Sequence, residues 1–297
     1  MSVFDFLILL PQHLAPFIVD PKTIKMASVT SESTIHIIEP YEFEKIIDVE
    51  TWLKLLRNNL HLPVYCSVLY IFLIFSFQQM MKNRTAFSLR VPLIVWNLTM
   101  ALNSIIGSIR MFPGFVHIIR DFGLTFSVCD SKYFQTIQPT VFWSLIFIIS
   151  RFVELGDTFF IVFRKRKLIF LHWYHHMMTL MSCWYFVSKP LAVAHWFGVM
   201  NNLVHSLMYS YFAVSALKFR PPRFVAMIIT CLQLLQMFIG SFVCCWALWK
   251  KWSGYSCEFP NDATFIALLV YLIYVILFTR LFYYSYFFKA EKSLKKY

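Results

Sequence analysis

The chain has 297 residues, of which 59% are hydrophobic, 19% aromatic and only 14% charged. That balance excludes an ordinary water-soluble domain and fits an integral membrane protein. The formal net charge of +12 would suit nucleic acid, but in so apolar a chain basic cytoplasmic loops account for it, and such loops also attract anionic substrates; no nucleic-acid partner is expected.

The opening stretch "MSVFDFLILLPQHLAPFIV" is apolar but interrupted by Asp5, Pro11, His13 and Pro16. It lacks a basic n-region and a clear small-residue cleavage site, so it reads as an interfacial segment and not as a signal peptide. Residues 20–60 are polar and mixed in charge. The expected organisation is an N-terminal lumenal or interfacial segment (1–60), one helical domain (61–288) and a basic tail (289–297).

A helix needs roughly 20 apolar residues to cross a bilayer. Seven windows meet or approach this length: 63–81, 91–109, 137–163, 168–187, 191–217, 224–249 and 263–280. They predict an all-α integral membrane protein with seven transmembrane helices; the runs are too long and too little alternating for a β-barrel. "RKRK" between the third and fourth windows marks a tight helical hairpin. The first, third and fifth connections with the tail carry fourteen Lys and Arg, and the opposite side, from Lys45 onward, carries nine. The positive-inside rule then places the N-terminus in the lumen and the C-terminus in the cytosol. In this topology Asn83 and Asn97, although in Asn-x-Thr sequences, escape glycosylation. Cys129 and Cys257 fall in lumenal connections, an oxidising setting, and a disulfide between them is expected. The other five cysteines fall in spans, where they read as small packing residues.

Polar residues in membrane helices are costly and mark sites or interhelical ties. "RFVELGDT" in the third span places Arg151, Glu154, Asp157 and Thr158 on one stripe about 120° wide; ion pairs locking two helices together explain it as well as a catalytic role does. "LIFLHWYHHMM" in the fourth turns His172, His175 and His176 to one side. "NNLVHSLMYSYF" in the fifth groups Asn201, Asn202 and His205, with Tyr209 one turn on. "TCLQLLQ" in the sixth aligns Thr230, Gln233 and Gln236, where hydrogen-bond glue is an equal reading. The clusters flanking "RKRK" lie at the cytosolic end, while stretches such as "VFWSLIFIIS" are greasy. A pocket with a polar cytosolic mouth and an apolar blind end suits an amphiphile with a charged head and a long tail.

HxxHH also occurs in membrane di-iron oxidases and desaturases, and imidazole is a good iron ligand. Those sites draw on several histidine boxes, and only His172, His175, His176 and His205, with His195 further off, can converge here; no metal site is expected. A seven-helix transporter or receptor would also line its path with polar groups. The remaining reading is metal-free acyl chemistry. Imidazole serves as nucleophile or base, Asn and a second His can hold an oxyanion or enolate, and Glu154 or Asp157 can orient a ring.

"RFVELGDTFFIVFRKRKLIFLHWYHH", followed by "MNNLVHSLMYSYF" and "TCLQLLQMF", resembles the ELO family of fatty-acid elongases, the 3-oxoacyl-CoA synthases of the endoplasmic reticulum. The likeness covers about residues 60–290. It implies seven helices, six of them surrounding a substrate tunnel, and condensation of an acyl-CoA with malonyl-CoA through an acyl-histidine, without a cofactor. By motif match His175 would carry the acyl group and His205 would be its partner. His172 and His176 would tune the site, Asn201 and Gln233 would bind substrate, and the cytosolic Lys and Arg would meet the phosphates of CoA. The family pattern usually has Lys where this chain has Arg151, so a planar fork replaces a point charge. "HWYHH", with Trp173, resembles the subgroup acting on saturated and monounsaturated chains; a branched chain is also compatible. The resemblance further implies the reductases and dehydratase of the elongation cycle as partners, and it allows a homo-oligomer. The tail "EKSLKKY" is in keeping with the endoplasmic reticulum.

Overall fold

The computed structural model describes residues 38–189 and 191–288. The opening apolar stretch, His13, His36 and the basic tail lie outside the described residues. Among the described residues all regular structure is helical. It comprises α1 (Val49–Asn58), α2 (Leu62–Met80), α3 (Arg90–Cys129), α4 (Lys132–Thr136), α5 (Gln138–Glu154), α6 (Gly156–Phe163), α7 (Phe170–Ser188), α8 (Ala192–Ala216), α9 (Arg223–Trp252) and α10 (Asn261–Phe282). A π-helical turn, Tyr283–Phe288, extends α10.

Each of the seven apolar windows falls on helix. Four helical stretches are long and apolar enough to cross a membrane: Leu62–Asn83, α3, α9 and Asn261–Phe288. They expose large apolar side chains such as Phe72, Val91, Ile109 and Ile276, as lipid-facing helices do. α7 and α8 have the length but are diluted by their histidines and asparagines. α5 and α6 are each too short because the chain breaks between them.

That break is the first departure from the sequence reading, which took 137–163 as one span. Around Leu155 the ladder tightens to three-residue bonds, Leu155 N–H to Phe152 O at 3.3 Å and Thr158 N–H to Leu155 O at 3.4 Å, a short 3₁₀ step inside a helix. Gly156 stands there because Trp96 of α3 lies against it; a Cβ would sit 2.5 Å from the indole. The second departure is α3. The sequence reading ends this span at 109 and puts His117 in a connection, whereas the helix runs on past Pro113 and turns only at Gly123, whose φ is +83°. Glycine tolerates that backbone without steric cost.

The third concerns the N-terminal segment, which docks into the bundle. Glu44 is fully buried and accepts from Arg110 Nε at 2.8 Å, Trp143 Nε1 at 2.8 Å and the Tyr41 amide at 2.9 Å. Burial works to raise its carboxyl, but these donors and the Arg110 charge prevail and hold it below the ordinary 4.5. Arg110, counted among the loop cations in the sequence, is therefore a buried helical residue. Leu56 of α1 packs with Leu145, Ile148 and Trp184, and Trp184 Nε1 donates to Leu56 O at 3.0 Å.

At the same end Cys129 and Cys257 form a disulfide. It ties the end of α3 to the approach to α10, within a core of Val128, Phe186, Val193, Val243 and Phe259. The other end of the bundle, where the α6–α7 and α8–α9 turns lie, holds the polar site.

Candidate active site

A cavity of about 650 Å³ opens among α6, α7, α8, α9 and the C-terminal turn, within the range of small-molecule sites. His172, His175 and His176 of α7, His205 and Tyr209 of α8, Asp157 of α6, and Asn201 and Gln233 all line it. Arg164 and Arg166 of the α6–α7 turn stand at its rim. The deeper wall is apolar, with Met237 and Phe278.

The broken helix sets the carboxylates apart. Glu154, ending α5, faces α8, where His205 Nδ1–H donates to its Oε1 at 3.3 Å. An ionised carboxylate only accepts, so the neutral His205 tautomer that suits this contact carries its proton on Nδ1 and presents Nε2 as the acceptor. Arg151 Nη2 lies 2.5 Å from the same Oε1. Arg151 also donates to Asn201 Oδ1 at 2.9 Å and to Ser150 Oγ at 3.0 Å, and its guanidinium sits 4.2 Å over the Phe147 ring. Arg151 and Glu154 are each 1% exposed, and neither lines the cavity: they stand behind its wall. A buried ion pair needs such extra hydrogen bonds to offset its desolvation.

Asp157, after the break, accepts from Trp96 Nε1 at 2.5 Å and Tyr209 OH at 2.6 Å. His176 Nε2 lies 3.9 Å from it, beyond hydrogen-bond reach. Thr158 turns between α2 and α7, its hydroxyl 2.6 Å from Tyr70 OH of α2 and 3.0 Å from His172 Nε2 of α7. The single stripe expected from 151 to 158 is therefore split among three neighbours. Among the described residues no side chain hydrogen-bonds the His175 ring, which packs beside Tyr274 and Phe278. Tyr274 OH reaches its backbone carbonyl at 3.4 Å.

Two residues grouped with the site lie elsewhere. Asn202 turns away from the cavity, its Nδ2 3.5 Å from Met111 Sδ. His195 lies near the disulfide end between Phe115 and Phe134. Trp173 faces Phe75 of α2 and not the cavity. Gln233 lines the wall and donates to Met208 Sδ at 3.3 Å. Among the described residues no group of three or more His, Cys, Asp and Glu side chains is arranged to hold a metal ion.

The family profile described as GNS1/SUR4, or ELO, matches residues 55–294. The chain belongs to the ELO family. Its similarity to named members runs through most of its length. It is 43% identical over 249 residues to a Drosophila melanogaster protein named very long chain fatty acid elongase 6, covering 83% of this chain and 78% of that protein. It is 38% identical over 259 residues to the Mus musculus protein of the same name, covering 87% and 97%. It is 41% identical over 238 residues to a Caenorhabditis elegans putative fatty acid elongase 3, covering 80% and 73%.

In this ELO protein the sequence reading missed Trp96, Tyr70 and Tyr274, which hold Asp157, Thr158 and the α7 backbone. Their common signal is an aromatic ring with a polar tip inside an apolar run, a residue type whose N–H or O–H seeks a partner when buried.

Proposed function

We propose that the protein is a fatty-acid elongase that condenses a long-chain saturated or monounsaturated acyl-CoA with malonyl-CoA, giving 3-oxoacyl-CoA, CO2 and CoA. The observation that carries this reading is the meeting of His175 and His205, from two helices, in one cavity rimmed by Arg164 and Arg166, in a family whose relatives are named for fatty acid elongation.

The first step is acyl transfer to His175. Its ring nitrogen attacks the thioester carbonyl while His205 Nε2 takes the ring proton, and CoA leaves as thiolate and is protonated from solvent at the mouth. Glu154, held by Arg151, stabilises the resulting His205 imidazolium through Nδ1, as the acid of a triad does. Malonyl-CoA then loses CO2, and the carbanion attacks the acyl-imidazole carbonyl. The carbon–carbon bond forms, the His175 nitrogen leaves, and His205 returns the proton. The cycle consumes one proton from solution and uses no cofactor. During the attack protonated His205 can hold the developing oxyanion. Asn201 and Gln233, which line the cavity, would bind substrate, and the rim arginines suit the phosphates of CoA.

The reading extends to seven transmembrane helices, six around the tunnel, in the endoplasmic reticulum. The disulfide end then lies in the oxidising lumen, and the arginine-rimmed mouth and the C-terminus face the cytosol. The 3-oxoacyl product requires reduction and dehydration by partner enzymes.

Purified protein with malonyl-CoA and a panel of acyl-CoAs tests the proposal. Product is expected from the wild type and lost in His175→Ala and His205→Ala with the fold retained. Intact mass should show an acyl adduct before malonyl-CoA is added. Full turnover by His175→Ala would end the covalent route, and absence of product from the folded wild type would end the elongase reading.

A further inference from the structure

Two smaller cavities continue the main one toward the disulfide end. The first, about 50 Å³, shares His175, Asn201, Gln236 and Met237 with the main cavity; its other walls are mostly apolar, with Phe186, Phe197 and Tyr271, and the hydroxyls of Thr179 and Ser182 there are already bonded to Tyr274 OH and Met178 O. The second, about 100 Å³, lies beyond it and is lined by Ser131, Gln135, Thr140, Ser144 and His195 among apolar neighbours. These two share three residues: Phe147 of α5, Val187 of α7 and Ala194 of α8.

We propose that Phe147, Val187 and Ala194 form the stop that sets the longest acyl tail the protein elongates; this rests on the elongase reading. Two independent rulers give its depth. Val187 is twelve residues along α7 from His175, and Ala194 is eleven along α8 from His205. At about 1.5 Å per residue both place the stop roughly 16–18 Å from the reacting groups. An extended chain with bonds of about 1.5 Å advances about 1.3 Å per carbon, so that depth corresponds to roughly 12–14 carbons beyond the carbonyl, and the chamber of about 50 Å³ has to open as the tail enters.

The space behind the stop also works against a longer tail. His195 Nε2 and Thr140 Oγ1 are buried there with no hydrogen-bond partner among the described residues. Ser144 is committed to Thr140 O at 2.7 Å. A methyl end pushed into this chamber would cover polar atoms it cannot bond, which is unfavourable, whereas the hydroxyls of the first, mostly apolar chamber already have partners.

Phe147 is unsuited to a test because its ring carries Arg151. Val187→Ala and Ala194→Leu alter the partition away from that network, one widening it and the other narrowing it. The experiment measures kcat/KM for saturated acyl-CoAs of increasing length with the purified wild type and both variants. The wild type should fall off above an acyl length of about 14 or 15 carbons. Val187→Ala should raise the ratio of the next longer to the last good substrate by about tenfold or more, and Ala194→Leu should lower the ratio at the limit by a similar factor, the scale at which one methylene matters in an apolar pocket. General damage would move both variants in the same direction; opposite shifts require a stop. An active wild type whose length profile is unchanged in both variants, or shifted alike in both, overturns the stop while leaving the elongase reading intact. A folded wild type making no 3-oxoacyl-CoA overturns the elongase reading itself.

Discussion

Glu154 holds His205 through Nδ1 at 3.3 Å while its own charge is matched by Arg151 at 2.5 Å. The carboxylate is shared between a cation that keeps it ionised and a ring whose tautomer it sets. Glu154→Gln removes the charge that stabilises a protonated His205 and leaves Arg151 unmatched in the protein interior. The condensation rate should fall by on the order of 10²–10⁴, and the fold should lose about 3–5 kcal/mol. Steady-state rates and melting in detergent check both, with Glu154→Asp expected to recover part of each.

Asp157 depends on two donors from outside its own helix. Tyr209→Phe removes one, Trp96→Phe the other, and each should cost about 1–3 kcal/mol by leaving a buried acceptor short of a partner. Because both donors serve one carboxylate, the losses should not add. A double-mutant cycle on melting should give a coupling of about 0.5–3 kcal/mol.

Gly156→Ala tests the close approach that brings Trp96 to Asp157. The new methyl would meet the indole at 2.5 Å, so Trp96 must move. A loss of about 1–3 kcal/mol is expected from the crowding, together with reduced activity, while alanine's better helix propensity returns about 1 kcal/mol at most. Calorimetry with activity assays on the same sample separates the two effects.

The helices were legible in the sequence because lipid demands long apolar runs; six of the seven windows fall on single helices and the third on the pair α5 and α6. The polar residues of the cavity were legible for the same reason, since His172, His175, His176 and His205 have no place in lipid without a purpose. The break at Leu155 was not. A helix with two turns' worth of three-residue bonds keeps the same hydropathy, and only the indole pressed against Gly156 explains it. Asn202 was grouped with Asn201 and His205 by angle, yet adjacent residues on a helix diverge by about 100°, and Asn202 goes to Met111. Arg110 shows a similar limit. Its partner Glu44 is 66 residues away, a pairing that no local pattern marks.

Glu44 gives the disulfide end of the bundle a dependence on acidity. Its folded-state carboxyl is held below the ordinary value of 4.5, so its contribution to stability is present in full above that value and is lost as pH falls through the lower, folded-state one. Melting curves from neutral pH to about pH 3 should show the difference between wild type and Glu44→Gln shrinking as the medium becomes acid.

Cys129→Ser or Cys257→Ser should destabilise the protein by about 2–5 kcal/mol. Peptide mapping without reductant should find the two cysteines linked in the wild type, and melting of the variants should show the loss.

That cross-link also carries information about time. Cys257 follows Cys129 by 128 residues, so at about 5–20 residues per second a newly made chain waits roughly 6–26 seconds between making the first sulfur and the second. In that interval α5 through α9 must be delivered and the bundle brought far enough together for the two to meet. An oxidised pair is therefore a receipt for near-complete assembly, since a chain stopped inside α9 holds Cys129 without the sulfur it is meant to join.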